Sequence, residues 1–218
     1  TIPAYVENAS EYLTTGNRRL TDRSLVVFSS VTGSTEEMIE AVDVLKKKGV
    51  RLLAFIDFEG TELAKQADYL IVSPKNEQLK FFMFANRLMY NNGEFPDYDR
   101  YNAEMDAHLA EALVEAEKQA DPFAQEFVCN HMNDQLHYFV GAGNQWGATY
   151  SYAMCYWEEQ HWIRTRAVHA GEFFHGMLEV VDRDTNVTVF IGEDEQRPLS
   201  ARVAKFLPRI CSRYTLID

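Results

Sequence analysis

Hydrophobic residues fall in short runs that alternate with amphipathic stretches. The run at 25–28 enters "SSVTGSTEEMIEAVDVLKKKG", where hydroxyl side chains and Gly33 precede a helical pattern ending at Gly49. "RLLAFIDF" then predicts a buried strand, "ELAKQAD" a short helix and "YLIVS" another strand. Residues 76–92 and roughly 100–120 read as two helices, separated by the turn-rich "GEFPDYD". The opening pattern then returns in "LHYFVGAGNQWGATYSYAMCYWEEQHW" and again in "NVTVFIGEDEQRPLSARVAKFL", and "RYTLID" closes the chain as a strand. Alternation of this kind implies α/β architecture with parallel sheets flanked by helices. It comes in two halves, divided between Asp97 and Asp121.

A chain of 218 residues suits one large α/β domain or two small ones, and 46% hydrophobic residues can build a core in either case. The net charge of −12, from 33 acids against 21 Lys and Arg, disfavours a nucleic-acid surface. It leaves anionic small molecules open, because backbone N–H groups and hydroxyls at a helix start can hold a phosphate. Cys129, Cys155 and Cys211 are widely spaced and lack a CxxC pairing, which suits a reducing cytoplasm. The apolar runs are too short or too interrupted for a bilayer, so no membrane partner is expected. The chain starts at Thr1 and ends on an uncovered strand, both read as signs of a fragment.

Four stretches carry candidate chemistry. The loop from Ser30 to Thr35 combines hydroxyls, a glycine and a helix start, which fits a phosphate cradle or a hydroxyl-rich N-cap. "GAGNQWGA" lacks G-x-G-x-x-G spacing and reads as a tight strand-to-helix turn, with Gly143 approaching some ligand. Glu158 and Glu159 sit among Tyr156, Trp157 and Trp162, either as a base raised by burial or as solvated acids near a helix end. "HAGEFFHG" spaces His169 and His175 six apart, which does not converge on a metal and leaves a proton-handling or a packed histidine. Arg197 in "EDEQRPL" is a further candidate for a carboxylate or phosphate, or else a surface ion pair.

Taken together, "SSVTGST" after a strand, "WEEQHW" on a helix, "GEFFHG" and "GEDEQR" resemble the sugar isomerase (SIS) family. The arrangement resembles the double-SIS isomerase domain of glucosamine-6-phosphate synthase, and above all the fructosamine-6-phosphate deglycases. The resemblance implies two SIS-type subdomains, each a parallel sheet flanked by helices in a flavodoxin-like three-layer sandwich. These would be residues 1–96, lacking a first strand and loop, and 121–218, lacking C-terminal helices, with 97–120 as a connecting helix. It implies phosphate binding by Ser30, Thr32, Gly33, Ser34 and Thr35, with Thr32 in place of the more usual serine. The family's catalytic glutamate lies sixteen residues before the histidine of H-G-P, which selects Glu159 and His175 here, with Met177 in place of the proline.

That pair would cleave an Amadori 6-phosphate into glucose 6-phosphate and a free amine by acid–base catalysis. No metal or organic cofactor is implied. The family pattern also implies a cytoplasmic homodimer with shared active sites. An aldose–ketose or amino-sugar phosphate isomerase, and a non-catalytic phosphosugar sensor, are the rival readings.

Overall fold

A computed structural model describes residues 2–218. The chain divides into two compact units, the first ending at Val114 and the second beginning at Glu115. The first unit contains α1 (Ala9–Thr15), β1 (Leu25–Ser30), α2 (Glu36–Lys47), β2 (Arg51–Ile56), α3 (Glu62–Gln66), β3 (Tyr69–Val72) and α4 (Glu77–Asn91). Its sheet is parallel in the order β1-β2-β3, with Leu25 opposite Arg51 and Leu53 opposite Tyr69. The central strand β2 is buried from Leu52 to Ile56, which is why it reads as an unbroken apolar run. Ala41, Val42 and Leu45 of α2 pack with Phe28, Leu52, Ala54 and Ile56 on one face. On the other, Phe81 of α4 meets Phe55 edge-on at 5.4 Å. Helix α1 adds Tyr12 to the core and is capped by Asn8, whose Oδ1 accepts from Ser10 N at 3.0 Å.

Helix α5 (Tyr98–His131) crosses the boundary between the units and carries Pro122 in its interior. The helix expected to stop near residue 120 thus continues to His131, where the buried side chains of Phe127 and His131 anchor its last turns. The second unit continues with β4 (Leu136–Gly141), α6 (Asn144–Ser151), a π-helical segment (Tyr152–Glu158), the single turn α7 (Glu159–His161) and β5 (Arg164–His169). Two 3-10 turns (Phe173–His175 and Met177–Val180), β6 (Asn186–Phe190), α8 (Arg197–Phe206), a further 3-10 turn (Leu207–Arg209) and β7 (Tyr214–Ile217) complete it. Its four parallel strands run in the order β5-β4-β6-β7.

Strand β4 shows how the period of two builds three layers. Tyr138 and Val140 point into a core with Val187, Val189, Val203 and Leu207, under α8. Phe139 points the other way, into a cluster with Phe127, Ala153 and Trp157. The fold is therefore α/β with parallel sheets, as the alternation along the chain implied. Parallel sheets collect their loops at the carboxyl ends of the strands, and those loops are where ligands bind.

Candidate functional site

The hydroxyl-rich loop leaves the carboxyl end of β1 and enters α2. Ser30 Oγ accepts from Gly33 N at 3.1 Å, and Ser34 donates to Thr32 Oγ1 at 3.0 Å, so the hydroxyls organise the turn among themselves. Gly33 has a φ of +62°, and a Cβ there would lie 2.2 Å from Thr61 Oγ1 at the start of α3. Only glycine permits that approach. Thr35 is the N-cap of α2 but lends no side-chain hydrogen bond to the first turn. The first N–H groups of a helix have no partner inside it, so this turn keeps donors to offer. Thr32, Ser34 and Thr35 are exposed and Ser30 is half-buried. All five candidate phosphate residues therefore sit on one strand-to-helix turn, its hydroxyls accessible and Gly33 buried against Thr61. Glu36 and Glu37 already face the positive end of the helix, so an anion has to be held by hydrogen-bond donors rather than by net charge.

The matching loop of the second unit is built the same way and then closed by the chain itself. A Cβ on Gly143 would lie 2.1 Å from Asp194 Oδ1, and Asp194 accepts from Asn144 N at 2.8 Å at the start of α6. Backbone N–H donation, from Gln196 first and then from Asn144, holds the Asp194 carboxyl below the usual carboxylate range. The close approach expected at Gly143 is thus to an internal carboxylate that caps α6. Arg197 is likewise engaged, donating to Asp218 at 2.7 Å, Glu193 at 3.1 Å and the carbonyl of Gly192 at 3.1 Å. Those bonds tie Asp218 to the start of α8 and account for both residues without a ligand.

The two neighbouring glutamates have different surroundings. Glu158 ends the π-helical segment and accepts from Thr165 N at 3.1 Å and Thr165 Oγ1 at 2.9 Å on β5. The Thr165 hydroxyl also reaches the Ala153 carbonyl, at 3.2 Å, inside that segment. Such insertions accompany π-turns, which are frequent at functional sites. Glu159, one residue on, is exposed and has no side-chain partner among the described residues. It is the free acid of the pair.

His175 ends the 3-10 turn that follows β5, and it is exposed. It lines a pocket of about 280 Å³ with Arg166, Val168, Glu172, Gly176 and Met177. Glu159 does not line that pocket; it precedes β5, whereas His175 follows it. His169, the other histidine of the stretch, accepts at Nδ1 from Gly171 N at 3.2 Å and packs edge-on to Trp146.

Sequence reasoning missed a third cluster, His131, Asp134 and His137, at the amino end of β4. Asp134 Oδ2 lies 2.7 Å from His131 Nδ1 and 2.9 Å from His137 Nδ1, and His137 Nε2 lies 2.8 Å from Thr188 Oγ1. A cation would need the two nitrogens and the carboxylate to close around it. Here the carboxylate itself is within hydrogen-bond distance of both rings, and Arg213 approaches its other oxygen at 3.4 Å. The arrangement is a hydrogen-bond network that satisfies a buried acid. Burial pushes the His137 imidazole down to about 4, so it is neutral there. The H-x-x-D-x-x-H spacing was the available signal, but only the fold brings Thr188 and Arg213 to it.

No helix among the described residues is long and apolar enough to cross a membrane. Over 222 residues the chain is 28% identical to the fructosamine deglycase FrlB of Bacillus subtilis, an alignment covering 97% of this chain and 66% of that protein. It is 24% identical to an isomerizing glutamine–fructose-6-phosphate aminotransferase of Caldanaerobacter subterraneus, covering 89% of this chain and 34% of that one. A solved chain from Bacillus subtilis, assigned provisionally as a phosphosugar isomerase, superposes with a TM-score of 0.87 at 25% identity, covering 96% of this chain and 66% of its own length. The chain thus spans no more than about two thirds of these relatives. Residues 1–90 match the family model of the SIS domain. The match takes in the hydroxyl-rich loop after β1, in a chain that has the fold of that solved structure over nearly its whole length.

Proposed function

We propose that this chain acts on a fructosamine (Amadori) 6-phosphate, releasing glucose 6-phosphate and a free amino acid or amine. The observation that carries the reading is the open loop from Ser30 to Thr35. Four hydroxyl side chains surround a left-handed glycine at the start of a helix that no side chain caps. That is chemistry for a phosphate, whereas the loop of the second unit is closed by Asp194. Likeness to a fructosamine deglycase along 97% of the chain supports the choice of substrate.

The reaction consumes one water. The sugar ring opens, a proton moves from C1 to C2 of the open chain, and the C1 imine so formed is hydrolysed to the aldehyde and the amine. Glu159 carries the proton between the two carbons, and His175 assists ring opening or protonates the leaving group. Engagement of Glu158 by Thr165 supports Glu159 as the base.

Glu159 precedes β5 and His175 follows it, and Glu159 does not line the pocket that holds His175. That arrangement supports a homodimer in which the two groups at one substrate come from different subunits. We propose likewise that residues 1–96 and 121–218 are the two SIS-type subdomains, joined by 97–120. The three cysteines are unpaired, which suits a cytoplasmic enzyme. Mixing the protein with fructoselysine 6-phosphate and fructose-asparagine 6-phosphate tests the reading. Release of both glucose 6-phosphate and free amino acid is expected; conversion without free amino acid would point to an isomerase, which the likeness to an isomerizing aminotransferase favours as the second reading.

A further inference from the structure

The pocket beside His175 holds more charge than a proton transfer requires. Its floor is Val168 and Met177, both buried, and its rim carries Arg166 and Glu172 besides the histidine. Arg166 and Glu172 are exposed, and neither side chain makes an ion pair or hydrogen bond with a described residue. Opposite charges on one small pocket ordinarily pair. These do not: Arg166 lies within β5 and Glu172 in a turn fixed by Glu172 N to His169 O at 2.8 Å and His175 N to Glu172 O at 2.9 Å. A guanidinium fork fits a carboxylate, and a carboxylate accepts from an ammonium. The apolar Val168 and Met177 of the same pocket fit methylene groups. About 280 Å³ is just below the range typical of sites for whole drug-sized ligands, so the pocket suits one end of a substrate rather than all of it.

We infer that this pocket is a specificity subsite for a zwitterionic amino-acid head group, with Arg166 on the carboxylate and Glu172 on the ammonium. The inference rests on the deglycase reading and narrows it. The preferred substrate is glycated on a side-chain amine, which leaves its α-amino and α-carboxyl groups free to bind here.

Three 6-phosphates test it: the fructosyl conjugates of the lysine side chain, of 6-aminohexanoate and of pentylamine, which carry both charges, the carboxylate alone and neither. Arg166→Met is expected to raise KM about 10- to 100-fold for the first two, with kcat and the pentylamine conjugate within about twofold of wild type. Glu172→Gln is expected to raise KM for the lysine conjugate alone. Arg166→Lys, which keeps the charge without the fork, should fall between and guards against a folding defect in the methionine variant. Turnover by the wild type with equal effects on all three conjugates, or with none, would overturn the subsite and leave the deglycase reading standing. Failure of the wild type to release glucose 6-phosphate from any of them overturns both.

Discussion

Gly33 combines a left-handed φ of +62° with contact to Thr61, and the two demands add. Gly33→Ala is expected to cost about 1–3 kcal/mol from backbone strain, plus the displacement of Thr61, and urea unfolding would measure it. The neighbouring glutamates separate structure from chemistry. Glu159→Gln should abolish turnover while unfolding and phosphosugar binding stay near wild type. Glu158→Gln should instead lower stability by up to about 1 kcal/mol through its bonds to Thr165 and retain turnover. His137 sets a pH dependence. Its imidazole falls from 6.5 to about 4 on folding, so between those values the unfolded chain binds the extra proton. Stability from this residue is complete above about pH 6.5 and is lost as pH falls towards 4, amounting to about 3 kcal/mol at the acid end. Comparing urea midpoints at pH 7 and pH 5 for the wild type and His137→Asn isolates it; equal pH slopes in the two proteins would contradict the assignment.

Among the elements, α5 shows where local signals and tertiary packing part. Asp121-Pro122 reads as a stop, since an interior proline forfeits a hydrogen bond and crowds the preceding turn. The helix runs through it because Phe127 and His131 are buried beyond. Pro122→Ala is therefore expected to increase helical circular dichroism and raise stability by about 1–3 kcal/mol; an unchanged or lowered midpoint would mean that the proline fits without strain. Helix α1 went unread although Asn8 and Glu11 carry an N-cap signature, because seven residues give too short a period to register. The π-helical segment was legible only as helix. Its wider turn is tied to the hydroxyl of Thr165 on a strand that follows it, and no periodicity reports that.

At the scale of the molecule, Glu159 precedes β5 and His175 follows it, and the proposed sharing of sites in a homodimer makes a sharp prediction. Glu159→Gln and His175→Asn should each be inactive alone. When their subunits are exchanged, half the dimers are mixed and each mixed dimer holds one intact site, so activity should return to about a quarter of wild type. No recovery, with subunit exchange demonstrated, would place both groups in one subunit's site.

The α/β class, the strands and helices other than α1 and β5, and the hydroxyl loop were legible in the sequence because each rests on contacts among near neighbours. Periodicity reports which face of a segment is buried, and a strand-loop-helix turn is written in adjacent residues. What the tertiary structure alone decided depends on residues far apart in the chain. Asp194 closes the second glycine loop from fifty residues away, while Thr61 packs on the first and leaves its hydroxyls open. Thr165 takes Glu158 and leaves Glu159 free, and Thr188 completes the bonding of a buried histidine. Each is a pairing across strands or loops, and spacing along the chain carries no record of it.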